Sequence, residues 1–316
     1  FPYTTLFRSN RLNINIDDYK EYSEIFTSIE IEILPKLNKY GKFINIKYGE
    51  EKYYHIYFNN NSKEIKKYSI DEDEKISKIK IIIDYQIKSF ENLFYRCECI
   101  EKINFKKFYR NNITKMNGMF FECSSLKELN LNHFNTNKVT NMSGMFTGCS
   151  LLNELNLNNF NTNNVTNMNA MFFECWALNK LNVNNFDTNN VTEMSYMFAG
   201  CESLKELNLN NFNTNNVTDM SYMFCNCWLL NKLNLNNFNT NNVISMGYMF
   251  HKCELLKELN LLNFNSNNEI GRASCREKCI SLKELNLSNF NSYNVTDMNY
   301  MFYNCISLKT LNRSNF

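Results

Sequence analysis

Apolar residues recur along the chain at one fixed interval, and cysteine marks that interval most clearly. Nine cysteines follow one another every 26 residues between Cys97 and Cys305. The neighbouring apolar positions keep the same interval, so the pattern is an internal repeat. Residues 139–164 represent the unit, with the sequence V-T-N-M-S-G-M-F-T-G-C-S-L-L-N-E-L-N-L-N-N-F-N-T-N-N. We number the positions of every unit 1 to 26, starting from the equivalent of Val139.

Two different spacings occur within one unit and predict two elements. Positions 17 to 19, such as residues 155–157, alternate apolar and polar, which indicates a short strand with its leucines facing inward. Positions 1, 4, 7, 8 and 11 are apolar at intervals of three or four residues, the spacing of one helical face. Thr140 stands where it would cap the first turn of such a helix. Each unit is therefore predicted to contain one short strand and one short helix.

The predicted fold is an α/β repeat solenoid of the leucine-rich-repeat type. Nine units span residues 87–316, the first of them degenerate, and the Asn-rich residues 161–164 form the turn between units. One unit cannot bury its own apolar face, so neighbouring units must stack and cover each other. The strands of successive units should then lie parallel and in register.

Residues 10–86 differ in kind from the repeat and are predicted to form a small β-rich cap at its N-terminal end. Alternating apolar residues at 43–48, 53–58 and 79–83 indicate strands. A cap of this kind is what the first unit of a stacked array needs to cover its open face.

Two short segments are predicted to derive from a sequencing adapter. Residues 1–9 match the translation of an adapter oligonucleotide, and residues 269–277 match essentially its reverse complement. The second segment, residues 269–278, replaces ten residues of the eighth unit without changing its register. It would place Glu269 and Arg272 at inward positions, where buried unpaired charge is costly. We therefore expect a loosened or bulged eighth unit and truncated native termini.

The motif V-T-x-M-S-x-M-F-x-x-C-x-x-L-x-x-L-N-L, seen at residues 191–209 and 217–235, resembles the BspA-like leucine-rich-repeat surface proteins. This repeat is also widespread in mycoplasmas and AT-rich protists, and the resemblance covers residues 87–316. It implies a leucine-rich-repeat solenoid. It also implies a cell-surface or secreted protein, since many such proteins are displayed outside the cell and some bind host or matrix proteins. Ile244 and Arg313 depart from the usual Thr and Leu of the motif.

Charge and hydropathy exclude two classes of partner. Lys and Arg total 34 and Asp and Glu total 32, so no basic excess favours binding to nucleic acid. No apolar stretch reaches the 18 residues that a membrane-spanning helix needs. The expected partner is therefore a protein, without nucleic acid and without membrane insertion of this chain.

The cysteine column could be a disulfide framework, a metal ladder or a row of buried apolar side chains. One uniform column gives no pairing scheme, and a buried thiol fills space as a small apolar group, so the third interpretation is favoured. Cys99 and Cys225 lie outside the column and are predicted to be surface thiols, too isolated to form a zinc site. No metal and no cofactor is expected. The six central members of the column are Cys123, Cys149, Cys175, Cys201, Cys227 and Cys253.

Catalytic chemistry has no evident residues. His55, His133 and His251 lie near no nucleophile motif, and no phosphate-binding or dinucleotide-binding glycine pattern occurs. The chain is predicted not to be an enzyme.

Position 18 carries an uninterrupted row of asparagines on the outward side of the strand. The row could present a regular face to a periodic ligand, but stacked amides that bond along the array are favoured. Beside it, position 16 is a row of Glu that Lys180 and Lys232 interrupt, and Lys precedes four of these acids, which indicates a solvated and charge-balanced strip. The central asparagines are Asn130, Asn156, Asn182, Asn208, Asn234 and Asn260.

The positions that vary while the frame stays constant are the candidates for recognising a partner. They carry aromatic residues, which serve well as interface anchors. They could equally pack over neighbouring units along the edge of the solenoid. The candidates are Phe173, Trp176, Tyr196, Tyr222, Trp228, Tyr248 and His251.

These observations favour a non-enzymatic adhesion or interaction scaffold at the cell surface or in the medium. An intracellular interaction scaffold of the same fold is the alternative. An enzyme would need its chemistry in the cap, where we expect none.

Overall fold

The computed structural model describes residues 27–261, 263–264, 281–286 and 307–312 of the chain. The predicted adapter segments at 1–9 and 269–278 lie outside these residues, as does most of the eighth unit. The strands are β1 (Ile29–Pro35), β2 (Gly41–Lys42), β3 (Tyr54–Phe58), β4 (Ser69–Ile70), β5 (Ile79–Ile83), β6 (Ile100–Lys107), β7 (Glu128–Asn130), β8 (Glu154–Leu155), β9 (Lys180–Leu181), β10 (Glu206–Leu207), β11 (Lys232–Leu233), β12 (Glu258–Asn260), β13 (Glu284–Asn286) and β14 (Thr310–Asn312).

The repeat forms a β-solenoid with seven stacked turns in its described part. A ladder of parallel bridges joins position 3 of successive turns, from Ser89 to Ser245. A second set of parallel pairs joins the short strands, as where Leu207 of β10 lies opposite Leu233 of β11. In both cases the partners are 26 residues apart, so the predicted parallel and in-register stacking is confirmed.

The predicted helix in each unit is wrong. Among the described residues no α-helix occurs, and a three-residue 3₁₀ turn at Glu51–Tyr53 is the one helical element. Positions 6 and 10 adopt left-handed backbone angles, for example φ of 58° at Tyr196 and 73° at Gly200. A left-handed residue stops the hydrogen-bond ladder of a right-handed helix. Thr140, predicted as a helix cap, instead directs its hydroxyl to the carbonyl of Thr114 in the preceding turn.

The segment that was predicted to be a helix is a series of tight turns. Every second N–H group of these turns bonds to the next unit. The N–H of Met197 donates to the carbonyl of Met194 three residues earlier, at 3.2 Å. The N–H of Tyr196 donates to Ser221 of the next turn, and that of Phe198 donates to Met223. The apolar residues therefore recur every three or four positions, as in a helix. Each turn, however, is closed by a hydrogen bond between residues that are three positions apart. The left-handed residues are Asn92, Gly118, Gly144, Ala170, Tyr196, Tyr222 and Tyr248 at position 6, and Arg96, Glu122, Gly148, Glu174, Gly200, Asn226 and Lys252 at position 10.

The core follows the predicted inward positions. Val139, Met142, Met145, Phe146 and Cys149 are all fully buried, which confirms their assignment. At position 8 the phenylalanine rings of six successive contacts lie nearly parallel, with centroids 5.6 to 5.8 Å apart and planes 4 to 8° apart. Stacking of identical turns thus builds one continuous apolar interior.

Position 24 holds a buried threonine whose hydroxyl joins adjacent turns. The hydroxyl of Thr188 donates to the carbonyl of Asn213 at 2.8 Å and accepts from the N–H of the same residue at 2.7 Å. Thr136, Thr162 and Thr214 make the same pair of bonds one turn apart. Each hydroxyl is therefore satisfied although it is buried, as burial of a polar group requires.

The β-rich region before the repeat shares a sheet with the solenoid. Its five strands lie in the order β3-β5-β1-β6-β7, and β1 pairs antiparallel with the first solenoid strand, β6. The open edge of the first turn is covered in this way. Two of the three predicted segments contain strands, β3 and β5, whereas Phe43 to Tyr48 form no strand although Phe43 and Ile44 are buried.

Arg110 adds a polar link between the two regions. It occupies position 24, where the following turns carry the bridging threonine, and its side chain is fully buried. The guanidinium donates from Nη1 to the carbonyl of Asp84 at 2.6 Å. Burial lowers the pKa of Arg110 to about 10, while nearby Tyr54 and Asp84 oppose that shift.

We predict that Thr188→Val lowers the free energy of unfolding by about 1 to 2 kcal/mol, because it removes both inter-turn bonds of a buried hydroxyl. Thr192→Val is the matched control, since that hydroxyl is exposed and makes one bond of 3.2 Å. Urea unfolding followed by circular dichroism measures both. Equal losses in the two variants would show that the buried bonds add nothing.

At position 10 we predict effects of opposite sign in adjacent turns. Gly200→Ala should lower the unfolding midpoint, because φ is 73° and a Cβ would lie 3.1 Å from the Cα of Glu174. Glu174→Gly should raise it, because an L residue in this backbone region costs about 1 kcal/mol. Thermal unfolding checks both changes. A helix at this segment would instead be stabilised by Gly200→Ala and weakened by Glu174→Gly.

Candidate functional site

The solenoid presents two broad surfaces with different chemistry. We call the exposed side chains of positions 15, 16, 18 and 20 the strand face. We call the exposed side chains of positions 3, 5, 6, 9, 10 and 12 the turn face. The strand face carries the Asn row and the Glu and Lys strip, and the turn face carries all the aromatic candidates.

The strand face is polar, open and internally paired. It contains two shallow depressions of about 550 and 570 Å³, the first lined by residues that include Glu206, Asn208 and Lys232. Ion pairs join neighbouring turns, as between Lys180 and Glu154 at 3.0 Å. Such exposed pairs contribute little to stability, so the strip is a charge-balanced, solvated surface.

The position 18 asparagines bond locally and to a neighbouring row. The Oδ1 of Asn234 accepts the N–H of Asn236 at 3.1 Å, which fixes the bend after the strand. Its Nδ2 donates at 3.1 Å to the Oδ1 of Asn210, which is at position 20 of the preceding turn. The amides therefore bond along the array, but they do so by crossing between two rows rather than along one.

Five of the candidate residues form a continuous ring stack on the turn face, which we call the aromatic column. The rings of Tyr196 and Tyr222 stack with centroids 4.5 Å apart, and those of Tyr222 and Tyr248 with centroids 4.8 Å apart. Phe173 meets Tyr196 edge to face at 5.7 Å, and His251 meets Tyr248 in the same way. The column spans four turns, and all five side chains are half-buried.

The stacking decides what the aromatic column presents to a partner. Because each tyrosine ring covers the face of the next, ring edges and phenol groups remain accessible. Burial raises the pKa of Tyr196 and of Tyr222. Tyr222 raises the pKa of Tyr196 further, whereas for Tyr222 the nearby Tyr248 raises the pKa and the hydrogen bond with Tyr196 lowers it. These two phenols therefore stay neutral at physiological pH. The column packs over neighbouring units and is also partly accessible. The geometry is therefore compatible both with packing along the edge of the solenoid and with recognition of a partner.

Trp176 and Trp228 lie at position 12, at the margin of the turn face. Their side chains are 49% and 42% exposed, and among the described residues no ring contact joins either indole to the aromatic column. Leu229 and Leu255 at position 13 are also exposed beside them. The two indoles are therefore large, accessible apolar groups on which no aromatic ring stacks among the described residues.

The cysteine column is buried and its thiols donate hydrogen bonds. The Sγ of Cys149 lies 3.2 Å from the carbonyl oxygen of Phe120, which is at position 8 of the preceding turn. The same contact recurs along the column, at Sγ to oxygen distances of 3.0 to 3.2 Å. Burial raises the pKa of these thiols, to about 12 at Cys175. All nine described cysteines are free.

The prediction that Cys99 and Cys225 are surface thiols is wrong. Cys99 is 1% exposed and directs its thiol to the carbonyl of Lys42 at 3.2 Å, so it packs beneath the cap. Cys225 is 7% exposed and occupies position 9 beside the tyrosines of the aromatic column. Within the described residues no three His, Cys, Asp or Glu side chains come together in a way that could hold a metal ion.

Comparison with known families decides the relationship of the chain. The family described as "Mycoplasma protein of unknown function, DUF285" matches residues 88–205, 172–274 and 207–315. The chain belongs to this family. The predicted resemblance to mycoplasma-type 26-residue repeats is thereby confirmed, and the match extends over the DUF285 solenoid and not over the cap.

Two solved structures are similar to the DUF285 chain. A leucine-rich repeat protein from Bacteroides ovatus ATCC 8483 is 18% identical with a TM-score of 0.41, over 76% of this chain and 66% of that one. The chain thus spans slightly less than two thirds of that protein. A leucine rich cell surface protein from Faecalibacterium prausnitzii A2-165 is 15% identical with a TM-score of 0.29, over 74% and 84%. A search of curated proteins finds no match. In the described part of the chain no helix has the length and hydropathy to cross a membrane.

Sequence reasoning missed the role of three DUF285 positions. The bridging threonines at position 24 were read as part of a turn, although their strict recurrence within an otherwise Asn-rich run was a usable signal. The left-handed positions 6 and 10 were read as helix, although Gly118, Gly144, Gly148 and Gly200 all fall on them.

We predict that the column thiols resist alkylation in the folded DUF285 chain, because a raised pKa keeps them protonated and burial blocks the reagent. Iodoacetamide at pH 8 followed by peptide mass spectrometry should leave Cys149, Cys175 and Cys201 unmodified. The same treatment in strong denaturant should modify all three. Native labelling at the denatured rate would contradict the buried column.

Proposed function

We propose that this DUF285 chain is a non-enzymatic protein-interaction or adhesion scaffold, displayed at the cell surface or secreted. We further propose that it binds its partner through the turn face of its fourth to seventh units, residues 165–261. The observation that carries this proposal is the combination of the aromatic column with two exposed tryptophans on one surface.

The frame beneath this surface is well suited to recognition. Positions 4, 7, 8 and 11 are fixed by packing, and the backbone between them bonds to both neighbouring turns. Side chains on such a frame lose little further freedom when a partner binds, which favours affinity. Tyr and Trp are also the residue types that most often provide the energy of an interface.

The residue types at positions 6, 9 and 12 change from turn to turn while the frame is constant. The second and third turns carry Gly118 and Gly144 at position 6, whereas the fifth to seventh carry the three tyrosines. Among the described turns, the Tyr residues of position 6 and the Trp residues of position 12 are thus concentrated on one stretch of the solenoid, while Tyr95 and Phe121 form a separate stacked pair at position 9 of the first two turns. A local binding site explains this concentration better than a uniform structural role, which would place them in every turn.

An intracellular scaffold of the same fold is the second candidate. It is favoured by one observation, because the nine described cysteines are free and free thiols persist in reducing compartments. Protease shaving of intact cells that express the native chain distinguishes the two locations. Cleavage of the solenoid from outside supports surface display, and protection until lysis supports the intracellular alternative.

For the binding site we predict that replacing Trp176 and Trp228 by Ala together weakens capture of a partner by about tenfold or more, since buried Trp anchors contribute about 1 to 2 kcal/mol each. Biolayer interferometry against a panel of purified matrix and cell-surface proteins measures the affinity. Lys180→Ala and Lys232→Ala, on the strand face, form the matched control.

Circular dichroism should show the same fold in both double variants, because all four side chains are exposed. Unchanged affinity in the Trp variant would remove these residues from the site. Equal loss in the Lys variant would transfer the site to the strand face.

A further inference from the structure

We propose that the position 12 row of Trp176, Glu202, Trp228 and Glu254 binds an extended cationic peptide segment of the partner, with Lys or Arg at every third residue. This inference rests on the proposed function and names the chemistry of its partner. We call these four residues the Trp–Glu row.

The four residues occupy the same place in four consecutive turns and are tied together by the backbone. The N–H of Ser203 donates to the carbonyl of Trp176 at 3.2 Å, and the N–H of Leu229 donates to that of Glu202 at 3.3 Å. The N–H of Leu255 continues the series to Trp228 at 3.3 Å. Indole and carboxylate groups therefore alternate along the solenoid at the spacing of hydrogen-bonded strands, about 5 Å.

Both kinds of side chain in the row favour a cation. Both indoles are partly exposed, and a guanidinium or ammonium group over a Trp face gains roughly two- to fivefold in affinity at an exposed site. The carboxylates of Glu202 and Glu254 lie between and beyond the indoles, where they can pair with the same cations. Neither an acidic nor a neutral segment would gain from the carboxylates.

The surrounding turn face has the same charge preference. In the fourth to seventh turns its acids outnumber its bases, with Lys252 as the one Lys or Arg among the described turn-face residues there. None of the ion pairs found among the described residues involves these acids. On the strand face, by contrast, acids and bases alternate and pair across turns. The acids are Glu174, Glu193, Glu202, Asp219 and Glu254.

The spacing of the row selects an extended segment. Trp176 and Trp228 are two turns apart, which is about 10 Å at the spacing of hydrogen-bonded strands. A polyproline II chain rises about 3.1 Å per residue with three residues per turn, so residues three apart lie on the same side of the chain and about 9 to 10 Å from each other. A peptide lying along the solenoid can thus place one cation at each indole. Leu229 and Leu255, exposed beside the row, can cover the aliphatic stems of these side chains.

The chain carries an internal probe for this site, because its two tryptophans are both in the row. Intrinsic fluorescence of the full chain is titrated with a peptide of four tandem Arg-Ser-Ala units. A matched peptide has Glu in place of Arg, and a third has the same composition with its arginines contiguous. We expect a saturable, salt-sensitive change with the first peptide and none with the Glu peptide. Binding of the contiguous peptide should be at least about threefold weaker.

Charge variants locate the binding. Glu202→Gln and Glu254→Gln should each lower the affinity for the Arg peptide by about threefold, which corresponds to the loss of one exposed ion pair. Both variants should keep the fold unchanged. Glu206→Gln removes the same charge from the strand face and should have no effect. Equal response to the Glu peptide, or equal loss in Glu206→Gln, would overturn the inference.

The inference can fail separately from the proposed function. If a protein partner is captured through the two tryptophans but the Arg peptide produces no fluorescence change, the cationic assignment is overturned while the scaffold function stands. If the Arg peptide binds with the predicted dependence on spacing, salt and Glu202, the assignment is supported whether or not a protein partner has been captured.

Discussion

The structure depends on backbone hydrogen bonds between turns, which the N–H groups of positions 4, 6, 8 and 10 donate to the next turn. These bonds form because positions 6 and 10 adopt left-handed angles, which rotate every second N–H toward the next turn. A right-handed helix would satisfy the same groups within the unit, and the strand pairs and threonine bridges alone would then bond one unit to the next. The backbone path of this segment therefore decides whether the turns are bonded on one side of the solenoid or on both.

In-register bonding brings identical side chains into contact. This explains why the same residue type recurs at most buried positions of the repeat. A phenylalanine meets a phenylalanine at position 8, a cysteine follows a cysteine at position 11, and a buried threonine bridges to the next turn at position 24. Each position must therefore be compatible with a copy of itself. The same constraint assembles the tyrosines of position 6 into a stack as soon as they occupy consecutive turns. It also brings Trp176, Glu202, Trp228 and Glu254 into one row at position 12.

The sequence alone was sufficient to predict the repeat, its register, its parallel strands and its inward positions, because burial and the 26-residue period leave a direct trace in residue type. It was insufficient to predict the backbone path. Tight turns closed between residues three apart place apolar residues every three or four positions, just as a helix does. Only some of the left-handed residues are glycine. Tyr196, Tyr222 and Tyr248 hold the same angles as Gly118 and Gly144, so residue type concealed the conformation.

Burial of residues outside the main columns was also beyond reach from the sequence. Cys99 is covered by the cap, and the path of the cap over the first turn has no signature in the repeat. Cys225 is covered by its own neighbours on the turn face. The register alone predicts that the candidate binding residues lie on one surface. Their role in binding a partner stays a prediction, since recognition depends on a molecule that the sequence does not describe.

The near-parallel phenylalanine rings of position 8 have a geometric consequence. Ring planes that differ by only 4 to 8° from one turn to the next mean that each turn is tilted little against its neighbour. Rows of equivalent atoms on neighbouring turns are therefore spaced at even intervals. A partner that repeats at the same interval can then make the same contact with several consecutive turns.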